Sequence, residues 1–163
     1  MKRLVPLSVL VLAVATAAGV ALAASSGGPG HGKDGSPIRH GKVIHVVEHA
    51  TTDAVTNHAD GAADSVGDVL TFTNDVFDKN DSTKVGSDQG YCVRMVVGQS
   101  WECVWTTFLD RGQITVEGPF YDTKDSVLAV TGGTGAYSFA RGWMELKSRA
   151  GGTEFDFIFH LSP

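Results

Sequence analysis

The segment GYCVRMVVGQSWECVW (residues 90–105) alternates apolar and polar side chains on either side of a glycine. Alternation with a period of two is typical of β-strands, and a glycine between two such runs is typical of a hairpin. The segment therefore predicts two antiparallel strands, over about 89–97 and 101–109, joined by a tight turn.

The same pattern continues across residues 42–163, where runs of β-type residues are separated by Gly, Asn and Asp. The segment 51–67 is polar and predicts a loop. We predict eight strands, over about 43–49, 67–75, 89–97, 101–109, 113–118, 126–131, 139–149 and 153–161. Eight short strands with short connections predict an all-β fold, a closed eight-stranded antiparallel β-barrel, with a sandwich as the alternative. Such a barrel is just wide enough for packed side chains or one small ligand.

The N-terminal residues predict an exported protein. Met1-Lys2-Arg3 is a short basic segment, and residues 4–20 are mostly apolar. In Ala21-Leu22-Ala23, small residues occupy the two positions that a signal peptidase recognises before its cleavage site. This pattern is typical of a secretory signal peptide over 1–23, and an uncleaved membrane anchor is the alternative. Residues 24–41 are rich in Gly, Ser and Pro and predict a flexible tether. The barrel domain is then expected over 42–163, in a secreted, extracellular protein.

The charge and the motifs exclude several classes of partner. The chain has 13 Lys and Arg against 18 Asp and Glu, and loss of Lys2 and Arg3 would leave 11 basic residues and a net charge near −7. That charge argues against nucleic acid, and against an anionic membrane surface once the signal is cleaved. The sequence has no HExxH, CxxC, GxSxG or P-loop motif. His45 and His49 lie about 13 Å apart along one strand, which is too far for both to bind one metal ion, so no metal site is expected.

Both cysteines of the chain, Cys92 and Cys103, lie in the hairpin predicted over residues 89–109. A turn at Val97-Gly98 sets them directly opposite each other, close enough for a small twist to allow a disulfide. Two cysteines in one exported domain usually pair, and this cross-link would contribute about 2–3 kcal/mol to stability. The alternatives are a turn one residue later, which misaligns the pair, and a free Cys92 thiol with Arg94 as its nearby cation.

Four segments follow one another with short gaps: GDVLTFTNDVF (67–77), VGSDQGYCV (85–93), GQITVEGPF (112–120) and LAVTGGTGAYSFARG (128–142). Together they resemble the allene oxide cyclase-like barrel family, a relative of the plant dirigent proteins. The last segment is the most specific, since it is similar to the LAITGG…G segment of that family. The resemblance implies an eight-stranded barrel with an apolar cavity, a homotrimer as in the plant members, and no cofactor.

The resemblance also implies a chemistry. Plant members fold an unstable lipid epoxide in a water-poor lumen, where a glutamate polarises it and an asparagine-held water stabilises the opening epoxide oxygen. Position by position, it assigns these catalytic roles to Glu48 and Asn74. Ile44 and Val46 share the strand face of Glu48, so a buried carboxyl there would have a raised pKa. The alternatives are a solvated Glu48 at the rim, a Glu48–Arg94 pair, and an Asn74 that merely makes a turn.

The expected lining of the cavity combines the resemblance with strand parity. Three positions depart from the family pattern: Ala50 replaces a second asparagine, Phe120 replaces a tyrosine, and residues 51–53 replace a proline-containing loop. The cavity would therefore be less polar than in the plant enzymes. For the aromatic members, plain core packing is the alternative. The expected lining residues are Phe72, Cys92, Trp101, Trp105 and Phe120.

Three functions are consistent with the sequence, and fold alone does not choose among them. The first is a cofactor-free cyclase or isomerase that uses Glu48 and Asn74, and the second is a non-catalytic, dirigent-type binder of an apolar small molecule. The third is a structural secreted barrel that is filled by its own side chains. A void above roughly 300 Å³ would favour a ligand, and rings packed across the axis would favour the structural barrel. We expect a barrel that binds an apolar small molecule, with catalysis left open.

Overall fold

The computed structural model describes residues 41–58 and 63–162. The predicted signal peptide and, apart from Gly41, the predicted tether lie outside these residues. Within the described ranges, the one helical element is a 3₁₀ turn, Gly135–Tyr137. No helix in these ranges is long and apolar enough to span a membrane. The strands are β1 (Lys42–His49), β2 (Ala54–Thr56), β3 (Val69–Phe72), β4 (Asp75–Asp78), β5 (Lys84–Val96), β6 (Ser100–Leu109), β7 (Gly112–Tyr121), β8 (Ser126–Gly133), β9 (Gly142–Arg149) and β10 (Glu154–Leu161).

The strands close into a ring. The antiparallel order is β5-β4-β1-β10-β9-β8-β7-β6, and the pairing of β6 with β5 completes it. Strands β3 and β4 both pair with β5, end to end, and so occupy one of the eight positions. Strand β2 adds an outer segment beside β3. The predicted closed eight-stranded antiparallel barrel is confirmed, and the sandwich alternative is wrong.

Two boundaries differ from the prediction at the same place. The strand expected over 67–75 is interrupted between β3 and β4, and the loop expected over 51–67 contains β2. At the interruption, the Thr52 hydroxyl accepts a hydrogen bond from Thr73 N and donates one to Thr73 O, each 2.8 Å long. Asn74 binds the same loop through its side chain. Side chains thus replace ladder bonds here, which an alternating pattern does not reveal.

The cysteine hairpin has the predicted pairing but another turn. Cys92 lies directly opposite Cys103, and the predicted disulfide between them is confirmed. The turn has three residues, 97–99, with Gly98 at φ 64°, a conformation that favours glycine,. The register then shifts around Met95, where a bulge adds one residue to β5. The longer turn and the bulge compensate each other, so the cysteines still meet.

An aromatic layer crosses the middle of the barrel. Phe72 meets the Trp105 ring edge-on at a centroid distance of 6.1 Å, and Trp105 meets Phe157 at 5.4 Å. Phe157 belongs to the alternating inward face of β10, together with the buried Phe159 and Leu161. Because each such side chain stabilises the fold by about 2–3 kcal/mol when buried, this layer is structural core.

The two ends of the barrel are closed differently. At one end, which we call the Tyr137 end, the 3₁₀ turn buries Tyr137 in the hydrophobic core. The strand predicted over 139–149 begins only at Gly142, because the chain is still in this turn and Phe139 has φ 68°. The opposite end, which we call the Glu48 end, carries the loops that follow β1, β7 and β9.

Candidate functional site

Glu48 lies inside the barrel near the last residue of β1. It follows Val46 on the inward face of that strand, and only 5 % of its surface is exposed. Its directly paired neighbours are Phe155 on β10 and Val76 on β4. The carboxyl therefore lies in an apolar wall, and the alternative of a solvated rim position is wrong.

Burial is the main reason why the pKa of Glu48 is raised, to about 8. The negative charges of Asp88 and Asp53 raise it further, and a hydrogen bond from Asn74 opposes the shift. Desolvation and like charges both disfavour the ionised form of a carboxyl. Glu48 therefore keeps its proton at neutral pH.

Asn74 lies in the break between β3 and β4 and connects the site to the loop after β1. Its side-chain Nδ2 donates to Glu48 Oε1 at 2.6 Å and to Asp53 Oδ1 at 2.9 Å. Its Oδ1 accepts from Thr51 N at 3.1 Å, and from Thr52 N and Oγ1 at 3.0 Å each. Both ends of the amide thus have protein partners, and Asn74 both orders the loop and holds Glu48.

Asp88 on β5 is a third carboxyl of this cluster, which the sequence analysis missed. It is fully buried, and its Oδ1 accepts a hydrogen bond from Asn74 N at 3.1 Å. Burial raises the pKa of Asp88 to about 7, helped by the charge of Asp53 and opposed by the Asn74 N–H. Strand parity could have found this residue, because Asp88 is four positions before the inward Cys92.

Within the part of the chain that the structure describes, no buried cation pairs with these carboxyls. Among the buried residues of the described chain, Arg94 is the one cationic side chain. Its Nη1 donates to both carboxylate oxygens of Asp122, at 2.9 and 2.7 Å, and its Nε lies 2.7 Å from Asp64. Its guanidinium also stacks 3.9 Å above Trp101. The alternative of a Glu48–Arg94 pair is therefore wrong.

A small lumen of about 50 Å³ lies next to Glu48. Four of the expected lining residues, Phe72, Cys92, Trp105 and Phe120, line it, whereas Trp101 is buried beneath Arg94. The carboxyls in its wall are Glu48 and Asp53. The remaining lining residues are Leu70, Cys103, Leu146, Phe155 and Phe157. This void has room for a few water molecules, and drug-sized ligands need about 300 Å³ or more.

Two phenylalanines separate the lumen from an outer groove. Phe120 and Phe155 pack edge to face with ring centroids 5.8 Å apart. Both line the lumen, and both also line a groove of about 420 Å³ beside the 122–125 loop. Leu146 lines both spaces as well, so these three side chains form their shared boundary.

A second polar cluster lies on the outer surface. Donor atoms of His49, Asp81 and Glu154 all lie within 4.8 Å of one another, so these side chains could hold a metal ion. His49 Nε2 already hydrogen-bonds Asp81 at 2.7 Å, and Arg149 lies 3.9 Å from Asp81 and 3.8 Å from Glu154. The guanidinium therefore neutralises the carboxylates that a metal would need.

Fold and site together define a closed eight-stranded β-barrel with buried carboxyls at one end of an apolar lumen. The chain belongs to the allene oxide cyclase family, whose model matches residues 41–162. Three solved structures with low sequence identity share the fold. A pyocyanin demethylase is 23 % identical, with a TM-score of 0.62, over 72 % of this chain and 100 % of its own. The pterocarpan synthase dirigent protein PsPTS1 is 19 % identical, with a TM-score of 0.60, over 78 % of this chain and 100 % of its own. The Diels-Alderase AbnU is 15 % identical, with a TM-score of 0.58, over 74 % of this chain and 98 % of its own.

Proposed function

We propose that this protein binds an apolar small molecule at the Glu48 end and converts it as a cofactor-free cyclase or isomerase. The observation that carries this proposal is Glu48 itself, a buried carboxyl held by Asn74 at the edge of an apolar lumen. A carboxyl that is neutral at working pH can protonate or polarise a ligand oxygen. The surrounding apolar wall excludes water, which strengthens that interaction.

The burial of several carboxyls supports a functional role over a purely structural one. A buried carboxyl without a cation costs several kcal/mol unless it is neutralised, and apolar side chains of similar size would stabilise the barrel more. Glu48 and Asp88 are both buried in this way. Natural proteins accept such local instability mainly at functional sites.

A ligand requires more space than the lumen provides. The lumen of about 50 Å³ and the outer groove of about 420 Å³ meet at Phe120 and Phe155. Rotation of these two rings would give a combined space within the usual range for small-molecule sites. The apolar part of a ligand would then reach Glu48, while its remainder would lie in the groove.

A second candidate is a structural barrel. It is favoured by the small lumen and by the Phe72–Trp105–Phe157 layer across the axis. The named neighbours do not decide between the candidates, since a demethylase, a pterocarpan synthase and a Diels-Alderase are named for different reactions on a similar fold,. The family favours the cyclase.

Mass spectrometry of small molecules retained by the purified protein, followed by a Glu48→Gln comparison, tests this proposal. The probe for turnover is a fatty-acid allene oxide generated in the assay, the substrate that the family resemblance implies. Gln keeps the shape of the side chain but cannot donate a carboxyl proton, so we expect ligand binding to persist and turnover to fall by about 10²-fold or more. Unchanged turnover would exclude the catalytic role, and the absence of any bound ligand would favour the structural barrel.

Export and a homotrimer are part of the same proposal. The disulfide is consistent with export to an oxidising compartment,. The trimer is supported by Tyr91, an aromatic residue on the outer face of β5 that is 52 % exposed in the single chain and could be covered by a second copy,. N-terminal sequencing of the secreted protein should begin at Ala24. Sedimentation analysis should give three times the mass of one mature chain, and a single-chain mass would reject the trimer.

A further inference from the structure

We propose that Asp88 is a positioning residue for Glu48: the two carboxyls are linked through Asn74 and hold one proton between them, which stays on Glu48. The inference deepens the proposed function, because that proton is the one a ligand would receive. It concerns the free protein, however, and can be tested without any ligand.

Asn74 holds both carboxyls in fixed positions. Its main chain pairs with Asp88 in both directions, with Asn74 N 3.2 Å from Asp88 O and Asp88 N 2.9 Å from Asn74 O. The same Asn74 N–H also reaches the Asp88 carboxyl at 3.1 Å, and the Asn74 side chain reaches Glu48 at 2.6 Å. Because one residue bonds both groups, neither carboxyl can move away from the other without breaking strand pairing or a buried hydrogen bond.

The surroundings supply no positive charge to either carboxyl. On β5, the cation Arg94 is occupied by Asp64 and Asp122. The loop after β1 adds Asp53, which is another negative charge. On β4 and β6 to β10, the buried side chains of the described residues are all uncharged.

The histidines of β1 do not change this balance. His45 hydrogen-bonds Asp156 at 2.8 Å and His49 hydrogen-bonds Asp81 at 2.7 Å. Both lie on the strand face opposite to Glu48, since side chains alternate along a strand,. Two ionised carboxyls inside the barrel would therefore repel each other without compensation, and one of them must remain protonated at neutral pH.

The hydrogen bonds decide which carboxyl carries the proton. Asp88 accepts from a backbone N–H, and a backbone donor stabilises the ionised form,. Its other oxygen, Oδ2, has no partner among the described residues, and neither has Oγ1 of Thr107, which is paired directly with Asp88 on β6. The Thr107 hydroxyl can turn to donate a hydrogen bond to an ionised Asp88, and such a bond favours the ionised form of Asp88. Asn74 Nδ2 donates one hydrogen to Glu48 and the other to Asp53, so Glu48 faces the negative charges of both Asp53 and Asp88 and is the carboxyl that stays neutral.

The test is a carboxyl ¹³C NMR titration of the folded protein, labelled at Glu Cδ and Asp Cγ. We compare the wild type with Asp88→Asn, which keeps the shape and the acceptor for Asn74 N but removes the charge. The titration midpoint of Glu48 should fall by about one pH unit or more, as loss of a nearby like charge predicts. The matched control is Asp75→Asn, because Asp75 is adjacent to Asn74 but exposed and paired with Lys84; it should leave the midpoint unchanged.

A reciprocal variant covers the case in which Asp88→Asn does not fold. In a coupled pair the charge of the group that ionises first raises the midpoint of the group that ionises second, so Glu48→Gln should leave the midpoint of Asp88, which ionises while Glu48 is still neutral, unchanged. An unchanged Glu48 midpoint in Asp88→Asn, a lowered Asp88 midpoint in Glu48→Gln, or a wild-type proton found on Asp88 would each overturn the inference. These outcomes are distinct from a failure of the proposed function, which would appear as unchanged turnover in Glu48→Gln while the coupling remains.

Discussion

The two ends of this barrel use the same strands in opposite ways. At the Tyr137 end, a 3₁₀ turn fills the opening with one aromatic ring, and burial raises the pKa of the Tyr137 hydroxyl. At the Glu48 end, the inward positions hold Glu48, Asn74 and Asp88. The first end follows the ordinary rule for a core, and the second departs from it. Such a departure within one continuous sheet is a reason to place function at the Glu48 end.

The largest expected effect comes from a residue of the central aromatic layer. Phe157→Ala removes a ring that packs on Trp105 and on Phe159, so we expect a loss of about 3–5 kcal/mol in the free energy of unfolding,. Urea denaturation measures this loss. The control is Phe139→Ala, since Phe139 is 91 % exposed and should change stability by less than about 0.5 kcal/mol,. Equal effects from the two variants would contradict the layer.

A smaller effect should separate the two ends. Asn74→Ala leaves Glu48 and Asp53 without their shared donor and frees the loop after β1, so we expect a loss of about 2–4 kcal/mol,. Asn80→Ala, at an exposed position, is the matched control. Hydrogen exchange should show faster exchange at Thr51 and Thr52 N–H in the Asn74 variant, with the Tyr137 end unchanged. Uniform loss of protection at both ends would argue against a local role for Asn74.

The smallest effect, when counted per pH unit, is a pH dependence that belongs to the Glu48 end. The pKa of Glu48 is raised from 4.5 to about 8, so the folded state binds more protons than the unfolded state between these values. Its contribution to stability is therefore complete below about pH 4.5 and is lost as the pH rises toward 8. The slope contributed by one such carboxyl is at most about 1.4 kcal/mol per pH unit.

Comparison with Glu48→Gln isolates this slope. Thermal unfolding of the wild type between pH 5 and 8 should show stability that falls with pH more steeply than in the variant. The buried Asp68 does not contribute in this window, because hydrogen bonds from His58 N and Ser65 lower its pKa and its stabilisation is lost only at acid pH. Parallel slopes for wild type and variant would show that Glu48 ionises normally.

Several features of the fold were predictable because they depend on neighbours along the chain. The period-two alternation of TEFDFIFHL (153–161) indicated β10 and its inward face. The glycine turn between two such runs indicated the hairpin, and with it the Cys92–Cys103 pairing. Even so, the turn itself was predicted one residue too short, because a bulge in the partner strand leaves no mark on the alternation.

The candidate site was predictable only in part. Glu48 was indicated by strand parity and by family resemblance, and Asn74 by the resemblance alone, but the hydrogen bond between them was not predicted. Asp88 was overlooked although its parity matches that of Cys92. Trp101 was expected to line the lumen but does not. Arg94, which is held by Asp64 and Asp122, stacks on the Trp101 ring instead.

The sequence by itself determined that this chain forms strands, because alternation and turn residues act locally, and it favoured a closed barrel over a sandwich. Only the tertiary structure decided which inward groups meet, how little space remains between the aromatic rings, and that Glu48, Asp53 and Asp88 converge on Asn74. These residues are 14 to 26 positions from Asn74 along the chain. Their convergence depends on the register and curvature of the closed ring, which no single strand contains.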